Sequence, residues 1–192
     1  MEMDLDTIDY QVVRKPNQFI VGLAVRTDNE KAMKDIPKIC ADFQDGWQEK
    51  IKNCVNDDIV CAYLDYDEDY TKPYTYLIGC LVTSCDVVPA GMVCKELPGG
   101  IFAKIEVFGE YPDSLIAAWE DIWDMDIERA YTADFEVYDQ YFNEENDYYF
   151  NIYLSLPQGS VAEEDISTEE DFDDEEDFEF EDDEDEDEEN QD

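Results

Sequence analysis

The sequence predicts an α+β fold: two strand–helix–strand–strand (βαββ) halves in tandem, forming one antiparallel sheet covered by two helices, with a groove between the halves. Three observations carry this. The same order of patterns occurs on either side of Pro98-Gly99-Gly100. Each half holds one stretch whose apolar residues recur at three- and four-residue steps, the mark of a helix with one buried face. The other apolar segments are short, rich in branched and aromatic residues, and bounded by turn-forming residues, as strands are.

In the first half, residues 11–14 read as a short strand closed by Lys15-Pro16-Asn17, and residues 19–26 as a stronger one. Ile36, Cys40, Phe43, Trp47 and Ile51 stripe a helix. Pro37 is compatible with a helix only near its first turn, which sets the start around Asp35. Gly46 within it costs about 1 kcal/mol against Ala, a small loss beside the burial of Trp47. Residues 59–66 and 75–85 read as strands joined by the polar loop 67–73, and Pro89-Ala90-Gly91 turns the chain into a short strand at 92–97. The second half repeats the order. Residues 101–108 are a strand, and Leu115, Trp119, Ile122 and Trp123 stripe a helix beginning after Tyr111-Pro112-Asp113-Ser114. Residues 135–142 and 148–156 close the half as two strands joined by an acidic turn.

Charge is distributed unevenly. The 192 residues hold 54 Asp and Glu against 12 Lys and Arg. Residues 161–192 carry 22 of those acids and no base, which leaves a formal charge of −20 on residues 1–160. The apolar content of 161–192 is Val161, Ala162, Ile166, Phe172, Phe178 and Phe180, too little to offset chain entropy, and its charges repel. The expected division is therefore one domain over 1–160 and a disordered acidic tail over 161–192. Such a charge repels phosphate backbones and anionic lipid, and about ten residues before the first strand leave no room for a helix-turn-helix. No direct nucleic-acid binding is expected. No charged-then-apolar leader and no apolar run near 18 residues occurs, so neither a membrane span nor secretion is expected, and the expected location is cytoplasmic. A solubilising extension accounts for the tail; a basic protein partner held through it is the second expectation.

The chain has no histidine, which removes every mechanism built on an imidazole base. Its six cysteines (Cys40, Cys54, Cys61, Cys80, Cys85 and Cys94) form no Cys-x-x-Cys and read as buried free thiols of a reducing compartment. No metal site and no cofactor is expected. Chemistry then rests on carboxylates, tyrosines or thiols. The run Asp134-Phe135-Glu136-Val137-Tyr138 sets a carboxylate among apolar and aromatic neighbours, and strand alternation places Glu136 and Tyr138 on one face. On spacing alone Glu136 reads as a solvent-facing carboxylate. Its context, between the two halves of a chain with 13 Tyr, 10 Phe and 3 Trp, seven of the Phe within the halves, suits a receptor for cationic or polar aromatic molecules.

Seven segments in order resemble the GyrI-like effector-binding family: residues 19–27, Asp35-Ile36-Pro37, residues 76–80, Pro89-Ala90-Gly91-Met92, Leu97-Pro98-Gly99-Gly100, Ala117-Ala118-Trp119 and residues 134–138. They span residues 10–157. The family is similar to the ligand-sensing domains of AraC- and MerR-type multidrug regulators and to gyrase-inhibitor proteins. The resemblance implies two SHS2-like βαββ repeats, a pocket between them, and a central glutamate on the next-to-last strand at the position of Glu136. By place in the repeat, Tyr63, Tyr76, Phe102, Trp119, Trp123 and Tyr138 are the candidate walls. The chain departs from the family in having no fused DNA-binding module, in Phe102 where many members carry tyrosine, and in its acidic tail.

Three readings follow. The first is a stand-alone receptor for hydrophobic, cationic compounds. The second is a hydrolase of reactive cyclopropane-type molecules, an activity the resemblance implies for some members, with Glu136 as general base and a tyrosine as donor. The third is an acidic inhibitor of a DNA-binding partner such as gyrase.

Overall fold

The computed structural model describes residues 8–168. Among them lie nine strands and two α-helices: β1 (Gln11–Lys15), β2 (Gln18–Thr27), α1 (Ala32–Gln44), β3 (Ile59–Leu64), β4 (Tyr74–Val82), β5 (Val93–Leu97), β6 (Gly100–Val107), α2 (Asp113–Asp124), β7 (Ala133–Tyr138), β8 (Phe150–Leu156) and β9 (Ser167–Thr168). One sheet holds all nine strands in the order β5-β2-β4-β3-β7-β8-β6-β1-β9. Every neighbouring pair is antiparallel except β9, which adds in parallel to β1. This is the predicted α+β arrangement, with β3 and β7 as the seam between the halves.

Connectivity forces the sheet to curl. β1 and β2 stand six places apart in the sheet, about 29 Å if it were flat, yet only Pro16 and Asn17 join them, a reach of about 10 Å. Pro98 and Gly99 make the matching link from β5 to β6, and the Gly99 N–H donates to Asn17 Oδ1 at 2.7 Å, tying the two links at one corner. The concave face therefore buries its own core of Val13, Ile20, Val60, Leu77, Leu97, Phe102, Phe135 and Tyr153. On the convex face α1 covers the first half with Ile39 and Phe43 against Val21, Ile78 and Cys80. Helix α2 covers the second with Ala118 and Ile122 among Ile105, Phe150 and Ile152.

Helix α1 differs from expectation at both ends. It starts at Ala32 because Asp28 nucleates the turn, its carboxylate accepting from the N–H groups of Glu30 and Lys31 and its carbonyl from Ala32. Pro37 is thus interior and removes one bond to the Met33 carbonyl. The helix ends at Gln44 because Gly46 takes φ +81°, a left-handed stop rather than a tolerated interior glycine. Trp47 and Ile51 flank a single 3-10 turn (Gln48–Lys50) and still pack on the α1 cluster. Strands β4, β7 and β8 are each shorter than the apolar runs that announced them.

Cys85 and Cys94 are joined in a disulfide, which corrects the reading of six free thiols; Cys61 and Cys80 are buried free thiols, while Cys40 and Cys54 are half-buried. The pairing bridges the Pro89-Ala90-Gly91 turn, which brings the ends of that loop together. Beyond residue 160, a 3-10 turn (Glu163–Asp165) ion-pairs Glu163 with Arg14, and Ile166 packs on the second-half core. The rest of the expected tail, residues 169–192, lies outside the described residues.

Gly22 and Gly79 face each other across β2 and β4. A Cβ on Gly22 would overlap the Ile78 carbonyl oxygen, and one on Gly79 the Val21 carbonyl oxygen, both backbone atoms that cannot step aside. Gly22→Ala is expected to destabilise the domain by about 3 kcal/mol through this overpacking. Urea unfolding checks it, and a loss under 0.5 kcal/mol would show that the strands separate without strain.

Candidate functional site

Strand β7 presents Asp134, Glu136 and Tyr138 in succession to the helix-bearing face, because alternate residues of a strand share a side. Glu136 pairs across the sheet with Cys61 of β3 and Ile152 of β8, at the middle of the nine strands. The gap between α1 and α2 at this point is filled by aromatic rings, and Glu136 beneath them is 1% exposed. Three neutral groups donate to its carboxylate: Tyr63 Oη and Trp119 Nε1 to Oε1, both at 2.8 Å, and Tyr138 Oη to Oε2 at 2.6 Å. Burial pushes the Glu136 carboxyl above its ordinary range, and the three hydrogen bonds oppose that shift; among the described residues no cationic group contributes to it.

The enclosure extends outward ring by ring. Tyr63 lies 5.1 Å from Trp119, 5.3 Å from Tyr76 and 5.6 Å from Tyr74, measured between centroids. Tyr138 stacks on Phe150 at 5.1 Å and meets Phe142 at 4.9 Å and Tyr111 at 6.2 Å. Burial, then the Glu136 charge, hold the Tyr63 and Tyr138 hydroxyls protonated far above the normal tyrosine range. Tyr111, closer to solvent, is pushed up to about 12 by the same causes. Behind Tyr76, its hydroxyl lies 3.4 Å from Cys40 Sγ, and a hydrogen bond from Cys61 lowers the Cys40 thiol while Cys61 rises.

A second buried carboxylate sits two residues away with a different complement. Asp134 accepts from Tyr66 Oη at 2.8 Å and from the Ser155 N–H at 2.8 Å, and it ion-pairs with the buried Arg129. The Arg129 guanidinium lies 4.5 Å from the Tyr131 ring, 5.8 Å from Tyr70 and 5.9 Å from Trp119. Among the described residues its Nε has no hydrogen-bond partner.

Of the predicted site residues, Glu136, Tyr63, Trp119 and Tyr138 come together through direct hydrogen bonds, and Tyr76 stands one ring behind them. Trp123 does not join them: it is half-exposed on α2 and stacks on Tyr70 at 6.0 Å. Phe102 is on the other face altogether. Ile101, Ala103 and Ile105 of β6 turn toward α2, so Phe102, of opposite parity, points into the concave core against Phe135 at 5.3 Å. Tyr74, Tyr111, Phe142 and Arg129 were not foreseen. Tyr74 shares parity with Tyr76 and was within reach of alternation; Arg129, in a loop, gave no periodic signal.

An open cavity of about 970 Å³ lies on the concave face instead, lined among others by Lys15, Val60, Leu97, Lys104, Phe135 and Tyr153. No helix among the described residues is long and apolar enough to cross a membrane.

Residues 11–156 match the Cass2 family profile, described as integron-associated effector binding protein. The chain belongs to that family. YobU of Bacillus subtilis (strain 168), whose name suggests a transcriptional regulator, is 26% identical over 127 residues, covering 62% of this chain and 79% of YobU. An integron cassette protein of Vibrio cholerae superposes with a TM-score of 0.62 at 21% identity, over 79% of this chain and all of that one. SAV2435, solved bound to tetraphenylphosphonium, superposes with a TM-score of 0.64 at 16% identity, over 79% of this chain and 95% of that one. These structures share the fold. As a member of the Cass2 family the chain is an effector-binding domain.

Proposed function

We propose that this Cass2-family domain binds hydrophobic cations in the aromatic enclosure, with Glu136 as the counter-ion. The observation that carries the reading is a carboxylate 1% exposed, given three neutral donors and no cation, and walled by tyrosine and tryptophan. Such a group has lost hydration without gaining an opposite charge, so an arriving cation recovers Coulomb energy and ring contacts of about 0.5–2 kcal/mol each. Asp134 supports it from inside the molecule. There the cation is supplied in cis by Arg129, lodged among Tyr131, Tyr70 and Trp119. The enclosure is filled by its own side chains, so a ligand displaces rings to reach the carboxylate. The tetraphenylphosphonium held by SAV2435 fits the same class and supplies the probe.

Calorimetric titration of the full chain with tetraphenylphosphonium, in about 0.5 M salt to screen the acidic background, tests this. One saturable site is expected, weakened at least tenfold by Glu136→Gln. Equal binding by both proteins would sink the reading. The hydrolase reading ranks second because the three donors take both lone pairs of Oε1 and one of Oε2, and Glu136 is 1% exposed, which closes the remaining lone pair to bulk water. Consumption of an electrophilic substrate that stops with Glu136→Gln would reverse that ranking.

A further inference from the structure

We propose that the domain carries a second, independent site for flat aromatic cations, on the concave side of the sheet away from Glu136. Strand β6 ends there, with Glu106 still paired to Asn151 of β8 and Phe108 just past the strand, and the turn before β8 is tied to Gly109. A cavity of about 390 Å³ results, lined by Glu106, Phe108, Tyr141, Asn146, Asp147 and Tyr149. That volume is within the range of small-molecule sites. The cavity opens into the larger concave groove through Glu106, Tyr141 and Tyr149, which line both.

The lining chemistry selects the ligand. It offers three aromatic rings, two carboxylates and no lysine or arginine. Phe108 is 61% exposed and Tyr141 51%, large apolar surfaces that water does not favour and that the fold does not use. The Phe108 and Tyr149 rings lie 4.7 Å apart, tilted by 37° and packed on each other, which leaves the outer face of the exposed Phe108 ring open. The Tyr149 hydroxyl reaches Glu106 Oε1 at 3.0 Å and Asn151 Oδ1 at 3.1 Å; its one hydrogen serves either, which fixes the ring beside the carboxylate. The Asp147 carbonyl accepts from the Gly109 N–H at 2.6 Å, so the turn bearing the second carboxylate is pinned to the end of β6. A planar cation laid on the open face of Phe108 gains that ring contact, has the exposed Tyr141 in the same cavity, and finds a charge partner in Glu106 or Asp147. Lys104 and Lys15 line the larger groove together with Asp58 and Asp139, and neither lysine lines the smaller cavity.

The test is made with ethidium, a flat fluorescent cation, on the full chain in about 0.5 M salt. It is run in the Glu136→Gln background, so that loss of the first site neither produces nor hides the second. One saturable site is expected there. Phe108→Ser combined with Asp147→Asn should weaken it about tenfold, since both a ring contact and a charge are removed. Asp147 has φ 52°, a conformation asparagine accepts readily, and Phe108 is exposed, so the double variant should fold. Asp86→Asn, an exposed carboxylate far along the chain, serves as the charge-matched control. No saturable binding in the Glu136→Gln protein, or a site unmoved by the double variant, or one moved equally by Asp86→Asn, would overturn the proposal. Failure of the Glu136 site in the tetraphenylphosphonium titration leaves these outcomes untouched.

Discussion

Replacing Arg129 with methionine is expected to lower stability by about 3–5 kcal/mol, because it strands the Asp134 carboxylate in the interior. The side chains are 3% and 0% exposed, so neither water nor salt screens the loss. Asp134 would keep its hydrogen bonds from Tyr66 and Ser155, but these are neutral dipoles and do not balance a full charge. In a domain whose total stability is of the order of 5–15 kcal/mol, that is a large share, equivalent to a fall in Tm of roughly 10 °C. The companion change discriminates cause. Asp134→Asn removes the charge, keeps a carbonyl acceptor for the Ser155 N–H at the Oδ1 position, and sets an NH2 at the Oδ2 position that donates to the Tyr66 hydroxyl, so the double variant should recover most of the loss. A double-mutant cycle by thermal or urea unfolding measures the coupling. A double variant no more stable than Arg129→Met alone would mean that packing of the guanidinium against Tyr131, not its charge, holds the loop.

The same pair shows why the site was only partly legible in the sequence. Periodicity reports which residues share a face of one element, and it placed Glu136 beside Tyr138 on β7 and Trp119 on the buried stripe of α2. It carries no information about which faces of different strands coincide once the sheet curls. Phe102 was therefore assigned to the wrong side: the parity of β6 relative to β7 is set by the register Ile105 to Ile152 to Glu136, a tertiary fact. Trp123 satisfied the helical stripe equally well but lies at its solvent edge. Arg129 and Tyr111 stand in loops, where no repeat exists to be read. The limits of α1 were missed for a local reason, since the Asp28 turn and the left-handed Gly46 override a stripe that continues through Trp47 and Ile51. The order of elements, in contrast, followed from the duplicated pattern about Pro98-Gly99-Gly100, because each half must bury its own helix stripe.

Cation affinity and stability of the free domain are expected to move in opposite directions with pH, and Glu136 is the group that couples them. Burial raises its folded pKa above the ordinary 4.5. Between 4.5 and that raised value, the folded protein holds a proton that the unfolded chain has released, so unfolding is favoured progressively as pH rises through the interval. Binding behaves in the reverse way. A cation requires the carboxylate, so its affinity should climb about tenfold per pH unit up to the folded pKa and then level off. Asp58 is also raised by burial and adds to the downward stability slope, whereas Asp65, held low by Lys95, contributes with the opposite sign. The informative quantity is therefore the difference between wild type and Glu136→Gln, in which every other carboxylate cancels. Thermal unfolding and tetraphenylphosphonium titration across about pH 4 to 8 should give a wild-type protein whose ligand-induced rise in Tm grows with pH, and a variant in which both slopes are reduced. Affinity that stays flat across the interval in the wild type would show that the cation does not meet Glu136 in its charged form, and the counter-ion role would have to be given up even if binding itself persisted.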